Sequence, residues 1–226
     1  IQLVLDYLHQ VLTRKIVPPD NREKVLNWDY FEAMIAATWI RRFQPKDEAA
    51  LTVARFWAEI ITDAFGSGTY NLATHEAAYR NKVPVLNKGE RLIGLSQFYM
   101  VCLLWDVLPS EIEMAYTSYV MNHPTGIYYI YGKRIADLPQ EFAGIQTSRY
   151  LAALECLSGY RNMGDKMEYA TRWIHKNRGP DGLWDLGPGS RDNVYLPLSD
   201  SWRKPEARKQ DCTARVQRIL NRLENS

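Results

Sequence analysis

Cysteine is scarce in this chain. Three residues in 226, Cys102, Cys156 and Cys212, are too few, too scattered and odd in number to form a disulfide framework. No C-x-x-C pair offers a structural zinc site. No N-x-S/T glycosylation acceptor occurs, and with the isolated thiols this points to the cytoplasm. Long apolar runs are missing as well. The longest, Leu92–Leu108, is broken by Gly94, Ser96 and Gln97, so no membrane span is expected. Charge of one sign is also lacking. A formal charge of +2 supplies no electrostatic field for nucleic acid or an anionic membrane.

What the chain has instead is aromatic mass, with 7 Trp and 14 Tyr against 6 Phe. Trp and Tyr carry a polar edge that Phe lacks, so they suit cavity walls and loop anchors as well as cores. Apolar residues recur at helical spacing, with Gly and Pro as punctuation. Leu3, Leu5, Leu8, Val11 and Leu12 predict a first helix, stopped before Pro18. Trp28–Arg42 predicts a second, on which Phe31, Ile35 and Trp39 share one face. Leu51, Ala54, Ala58, Ile61 and Phe65 mark a third, stopped by Gly66. Glu90–Leu108 is apolar nearly all round, as a buried helix would be. Ser110-Glu111-Ile112-Glu113 fits a capping box, and helix is expected to about Met121. Ile127–Tyr131 is β-branched and aromatic and predicts a short hairpin or an ordered loop. Helices are then expected over 147–158, from Asp165 to about Lys176, and from about Asp211 to the end, after a Gly-, Pro- and Asp-rich loop over 179–210. Trp39, Trp57 and Trp105 are expected to pack between helices.

Three pairs stand out: 28–42 with 45–65, 90–108 with 110–121, and 147–158 with 165–177. Each sets an apolar helix before a more amphipathic one, at a spacing of about sixty residues. The expected fold is all-α, built of helical-hairpin repeats in a curved double layer.

The sharpest motif is Trp173-Ile174-His175-Lys176-Asn177-Arg178-Gly179-Pro180-Asp181-Gly182-Leu183-Trp184. Here the chain resembles the QW-type repeat of the squalene/terpene cyclase and protein prenyltransferase superfamily. In that repeat an outer helix ends on an aromatic–aliphatic pair, a turn follows, and a Trp packs across it. Asp211-Cys212-Thr213-Ala214 and Thr147–Leu154 are similar to openings of its inner helices. Arg178 stands where the repeat has Gln, and a guanidinium can stack on an indole face in its place. The likeness is strong over 170–184, moderate over 145–224 and architectural before residue 90. It implies a single α/α-toroid-like domain over 1–226, a whole or partial ring with long ordered loops. It further implies an elongated, largely apolar, isoprenoid-like ligand in an aromatic-lined cavity.

The resemblance carries over no catalytic set. The D-x-D-D acid of alkene-protonating cyclases and the D-D-x-x-D magnesium cluster of ionising synthases are absent. Asp211-Cys212 lies at a suggestive place for prenyltransferase zinc, but all four histidines precede it. His75-Glu76-Ala77-Ala78-Tyr79 lacks the second histidine of H-E-x-x-H. No metal ligand set and no cofactor are therefore called for. Two other readings stay open. One is a glycan-processing enzyme, a hydrolase or lyase, with carboxylates and aromatics on the loop 181–203. The other is a non-catalytic interaction scaffold. The candidate catalytic residues are Asp185, Asp200, Asp211 and Glu32. The candidate ligand-binding residues are Trp28, Tyr30, Arg149, Tyr195, Trp202 and Arg215. The partner expected is a small apolar molecule or a glycan. Oligomeric state is not legible in the sequence.

Overall fold

The computed structural model describes residues 1–14, 28–83, 92–161, 163–190 and 204–225. Among these residues the chain is predominantly helical and forms no β-strand. It divides into two compact units, Ile1–Tyr119 and Val120–Ser226.

In the first unit, α1 (Gln2–Thr13), α2 (Trp28–Phe43) and α3 (Glu48–Phe65) pack in succession, and α4 (Leu72–Lys82) closes on α3. The third helix starts at Glu48 because Asp47 caps it, its carboxylate accepting from the Ala50 amide at 2.9 Å. The same carboxylate bonds His9 of α1 at 2.8 Å, which raises the His9 pKa and ties two helices to one cap. On α3 the buried residues Ala54, Ala58, Ile61 and Phe65 follow the expected stripe, with Trp57 beside them. Leu51 is only half-buried. The expected long helix over 90–108 is not one helix. Residues 92–97 are non-helical, and α5 covers only Phe98–Leu103. Beyond it the chain turns, with Asp106 at φ 59°. The cause lies on α2: the Arg41 guanidinium donates to the carbonyls of Leu103 and, at 2.7 Å, of Trp105. Those acceptors would otherwise serve the next helical turn. Next comes α6, Ser110–Asn122, whose first amides include Glu113 N–H bonded to Pro109 O at 2.8 Å.

In the second unit, the Ile127–Tyr131 segment is a tight turn closed by a single bridge. Ile127, Ile130 and Tyr131 are buried, while Tyr128 and Tyr129 face solvent at the tip. Tyr129 takes φ 72°, a conformation that L side chains rarely adopt. Then come α7 (Ile145–Leu157), the short α8 (Met163–Lys166), α9 (Glu168–Lys176) and α10 (Pro205–Leu223). The single helix expected from Asp165 is two segments joined at Met167, whose amide still bonds Met163 O at 2.9 Å. The last helix begins at Pro205, six positions before the expected Asp211. Proline's fixed φ suits the first helical position, and its missing N–H costs nothing there. Asp211 is thus inside the helix and caps nothing.

Gly126, at φ +57°, is where the tight turn closes on itself. A Cβ there would lie 2.2 Å from the carbonyl oxygens of Tyr131 and Lys133. Gly132 has open space around its Cβ position and no positive φ. Gly126→Ala should lower stability by at least about 2 kcal/mol in urea unfolding, and Gly132→Ala by less than about 0.5 kcal/mol. Equal effects of the two substitutions would show that this packing is not what holds the turn.

Candidate functional site

The motif around Trp184 forms a staple between α9 and α10. Trp184 is buried, its indole N–H donates to Ile174 O at 2.8 Å, and its amide donates to Thr213 Oγ1 at 3.0 Å. Arg178 lies over the indole, 5.1 Å from its centroid, and bonds Gly182 O at 2.7 Å. Gly182, at φ +78°, supplies the left-handed residue that the turn needs. Asp181 accepts from the Leu183 amide and pairs with Lys209 at 2.6 Å.

The earlier start of α10 sets Arg208, Asp211, Cys212 and Arg215 on one helical face, at spacings of three, one and three residues. This face runs along α7 as a polar seam. Arg208 makes a two-pronged pair with Asp185 at 2.6 and 2.8 Å, holding that carboxyl below the ordinary aspartate range. Arg215 grips Glu155 at 3.1 and 3.2 Å and Ser148 Oγ at 3.2 Å. Asp211 buries one carboxylate oxygen, Oδ2, with no hydrogen-bond partner. Burial pushes the Cys212 thiol up to about 12, so it is no nucleophile at neutral pH. Arg149 lies on α7 next to Ser148, half-buried. The structure therefore brings Asp185 and Arg215 into one seam, each bonded to a partner. Asp185, paired and depressed, is suited to anchoring a turn and not to donating a proton.

In the first unit, Trp28, Tyr30 and Glu32 share α2 but not one environment. Glu32 accepts from the Trp28 indole at 2.6 Å and lies 3.8 Å from Arg14. Tyr30 turns away to stack on Phe56 of α3, with centroids 5.6 Å apart. Trp28 instead heads a string of rings. It meets Phe31 at 5.7 Å, Phe31 meets Tyr99 at 6.0 Å, Tyr99 meets Phe98 at 4.9 Å, and Phe98 meets Trp39 at 6.3 Å. The two end rings are exposed, Trp28 at 53% and Trp39 at 40%, and the three between are half-buried. Trp39 packs from α2 onto Phe98 of α5 yet stays part-exposed, whereas Trp57 is buried at 1% exposure. Thr38 ties α5 to the string: its one hydroxyl proton is shared between Met34 O at 2.7 Å and Tyr99 O at 3.1 Å. Asp200, Tyr195 and Trp202 lie outside the described residues.

Sequence reading missed Phe98 and Tyr99, although both open α5 after Gln97. It also missed Arg208, Glu155 and Ser148. Their signal was the Arg208–Arg215 spacing, visible once Pro205 is taken as the helix start. Among the described residues no group of His, Cys, Asp and Glu could hold a metal ion, and no helix is long and apolar enough to cross a membrane.

The near-match His75-x-x-x-Tyr79 also has a physical outcome. The two side chains share a face of α4, rings edge-on at 6.2 Å. His75 is buried, its Nδ1 is hydrogen-bonded to the Tyr70 hydroxyl at 3.1 Å, and its Nε2 has no hydrogen-bond partner. Burial lowers its pKa to about 4.

No protein-family model matches this chain, and neither a curated protein nor a solved structure does.

Because the folded pKa of His75 lies below the unfolded value, the unfolded chain binds the extra proton between about pH 6.5 and 4. Stability should therefore fall as pH is lowered through this window, by up to one proton's slope. It should fall less in His75→Gln. An NMR titration of His75 with a midpoint near 6.5 would refute the assignment.

Proposed function

We propose that this protein is a prenyltransferase/terpene-cyclase-like binding protein of α/α-toroid type. On this reading it works in the cytoplasm and takes an elongated, largely apolar, isoprenoid-like ligand. The observation that supports the reading is the string of five rings from Trp28 to Trp39. Eleven residues of helix separate its ends, about 16 Å at 1.5 Å per residue. Three of the rings come from α2 and two from α5, so the strip is long and narrow, the shape of a linear hydrocarbon and not of a compact one. Two of the four ring contacts are edge-on and two are tilted, so the string presents both π faces and C–H edges, which bind hydrocarbon by dispersion and water release without a polar partner. Leaving large rings part-exposed forgoes burial worth about 25 cal/mol per Å² of apolar surface, a cost that a ligand covering them removes. The polar ends of the strip, Glu32 with the Trp28 indole N–H, and Arg42 over Trp105 at 5.6 Å, suit a hydroxyl or other small headgroup. No proton transfer or ionisation is assigned to these residues, and the reading is one of binding.

Uncharged isoprenoid alcohols such as farnesol and geranylgeraniol test it by tryptophan fluorescence and thermal shift. A ligand at 100 times its Kd should add about 2.7 kcal/mol to stability. Trp28→Ala with Trp39→Ala should weaken binding at least about tenfold, because each ring carries stacking beyond its buried area. Tyr128→Ala, an exposed ring elsewhere, should leave it unchanged. No binding by any isoprenoid alcohol, together with a shift produced by oligosaccharides, would replace this reading with the glycan one.

A further inference from the structure

The aromatic strip has a charged end. On the last turn of α2, Trp39, Arg42 and Phe43 fall at i, i+3 and i+4 and share one face. All three are exposed, Phe43 at 55%. The chain beyond α5 brings Trp105 to the same place, two residues past Leu103. The Arg42 guanidinium lies over the Trp105 ring, 5.6 Å from its centroid. An arginine in a last turn ordinarily reaches back to the free carbonyls of its own helix. Arg42 does not. Among the described residues it donates to no carbonyl and forms no ion pair, and Ile40 O is taken by the Gln44 amide at 2.7 Å. Its neighbour Arg41 is committed to the carbonyls of Leu103 and Trp105. Asp106, the acid next along the chain from Trp105, is exposed and forms no ion pair with Arg42.

A guanidinium held over an indole is engaged through its face. Its N–H edges remain for an acceptor, and their planar fork matches a carboxylate better than a hydroxyl, with two parallel charge-assisted bonds. The other end of the strip has the opposite sign. There Glu32 accepts from the Trp28 indole at 2.6 Å, and the Arg14 guanidinium, 3.8 Å away, already serves it. A second carboxylate placed there would meet a like charge. The strip therefore has a direction. We infer that it takes a long-chain isoprenoid carboxylate, the hydrocarbon running from Trp39 toward Trp28 and the carboxylate on Arg42. The inference rests on the reading of the strip as a hydrocarbon site and adds to it the headgroup and the orientation. One guanidinium edge matches the single charge of that headgroup.

Tryptophan fluorescence at neutral pH and low ionic strength tests it with farnesol, farnesoic acid and farnesylamine, three headgroups on one hydrocarbon, each below the concentration at which it aggregates. Farnesoic acid should bind at least about tenfold more tightly than farnesol, as a gain of hydrogen bonds between charged groups does. Added salt should shrink that advantage. Arg42→Gln should bring acid and alcohol to within about twofold of each other. Lys46→Gln removes an exposed cation just beyond α2 and should keep the acid-to-alcohol ratio of the unaltered protein. Both positions are exposed, so neither substitution disturbs the core. An acid that binds no more tightly than farnesol would overturn the inference and leave the hydrocarbon reading standing. So would farnesylamine binding more tightly than the acid, which would move the headgroup to Glu32. Equal loss of the ratio in the two variants would mark a diffuse charge effect and also overturn it. Failure of all three ligands to bind would overturn the hydrocarbon reading and this inference together.

Discussion

Burying a guanidinium is expensive unless a carboxylate comes with it, and α10 buries two. Arg208 and Arg215 are both about 6% exposed, and an unpaired charge at such depth costs several kcal/mol. Each therefore dictates a neighbour. Arg208 requires Asp185, which fixes where the chain must run after the Trp184 turn. Arg215 requires Glu155 and Ser148, two positions seven residues apart on α7, so one side chain sets the register between two helices. The Trp184 staple adds a neutral constraint in the same place, its amide held by Thr213 of α10 and its indole by Ile174 of α9. Helix α10 is the element to which the rest of the second unit is referenced. A helix with so polar a composition could not hold that place by hydrophobic burial alone.

The first unit solves a different problem with a similar device. Its α2 carries one buried face, including Met34, Ala37 and Ile40, and a flank of large rings that the core does not take in. Arg41, at the end of that helix, captures the carbonyls that would extend α5. At the other end of α5, Phe98 and Tyr99 lie beside Trp39 and Phe31, where Thr38 of α2 bonds Tyr99 O. A full-length helix over 90–108 would have followed the all-round apolar pattern of its sequence. The polar side chain, and not the apolar pattern, sets where α5 ends.

Much of this was legible in the residues. The stripe on α3, the apolar face of α7, the turn at Gly182 and the Arg178–Trp184 stack all follow from spacing and from what each side chain can do. The α2 face of Phe31, Ile35 and Trp39 was also visible, but not its fate. Periodicity identifies residues that share a face and is silent on whether another element covers that face. Trp57 and Trp39 occupy similar patterns, and one is buried while the other is exposed. The start of α10 was missed because the polar run Glu206–Asp211 masks a helix whose only apolar face begins at Cys212. Its signal was Pro205, a residue that reads as a breaker until it is placed at a first turn. The aromatic excess that marks the composition divides likewise: Trp184, Tyr150 and Trp57 complete cores, while Trp28, Trp39, Tyr128 and Tyr129 do not.

The sequence by itself determined the helical class, most helix positions and the local chemistry of the staple. These depend on contacts within about a dozen residues, and such contacts are written in spacing, caps and turn residues. Tertiary structure decided which charges are neutralised, which rings stay at the surface and where helices stop. The Arg215–Glu155 pair spans sixty residues, and Arg41 reaches sixty-two and sixty-four residues on to end a helix. Nothing local distinguishes a guanidinium that will be buried beside a carboxylate from one that will stay at the surface. Only the fold, by removing water from one and not from the other, makes Arg215 a structural bond and leaves Arg222 hydrated at the surface.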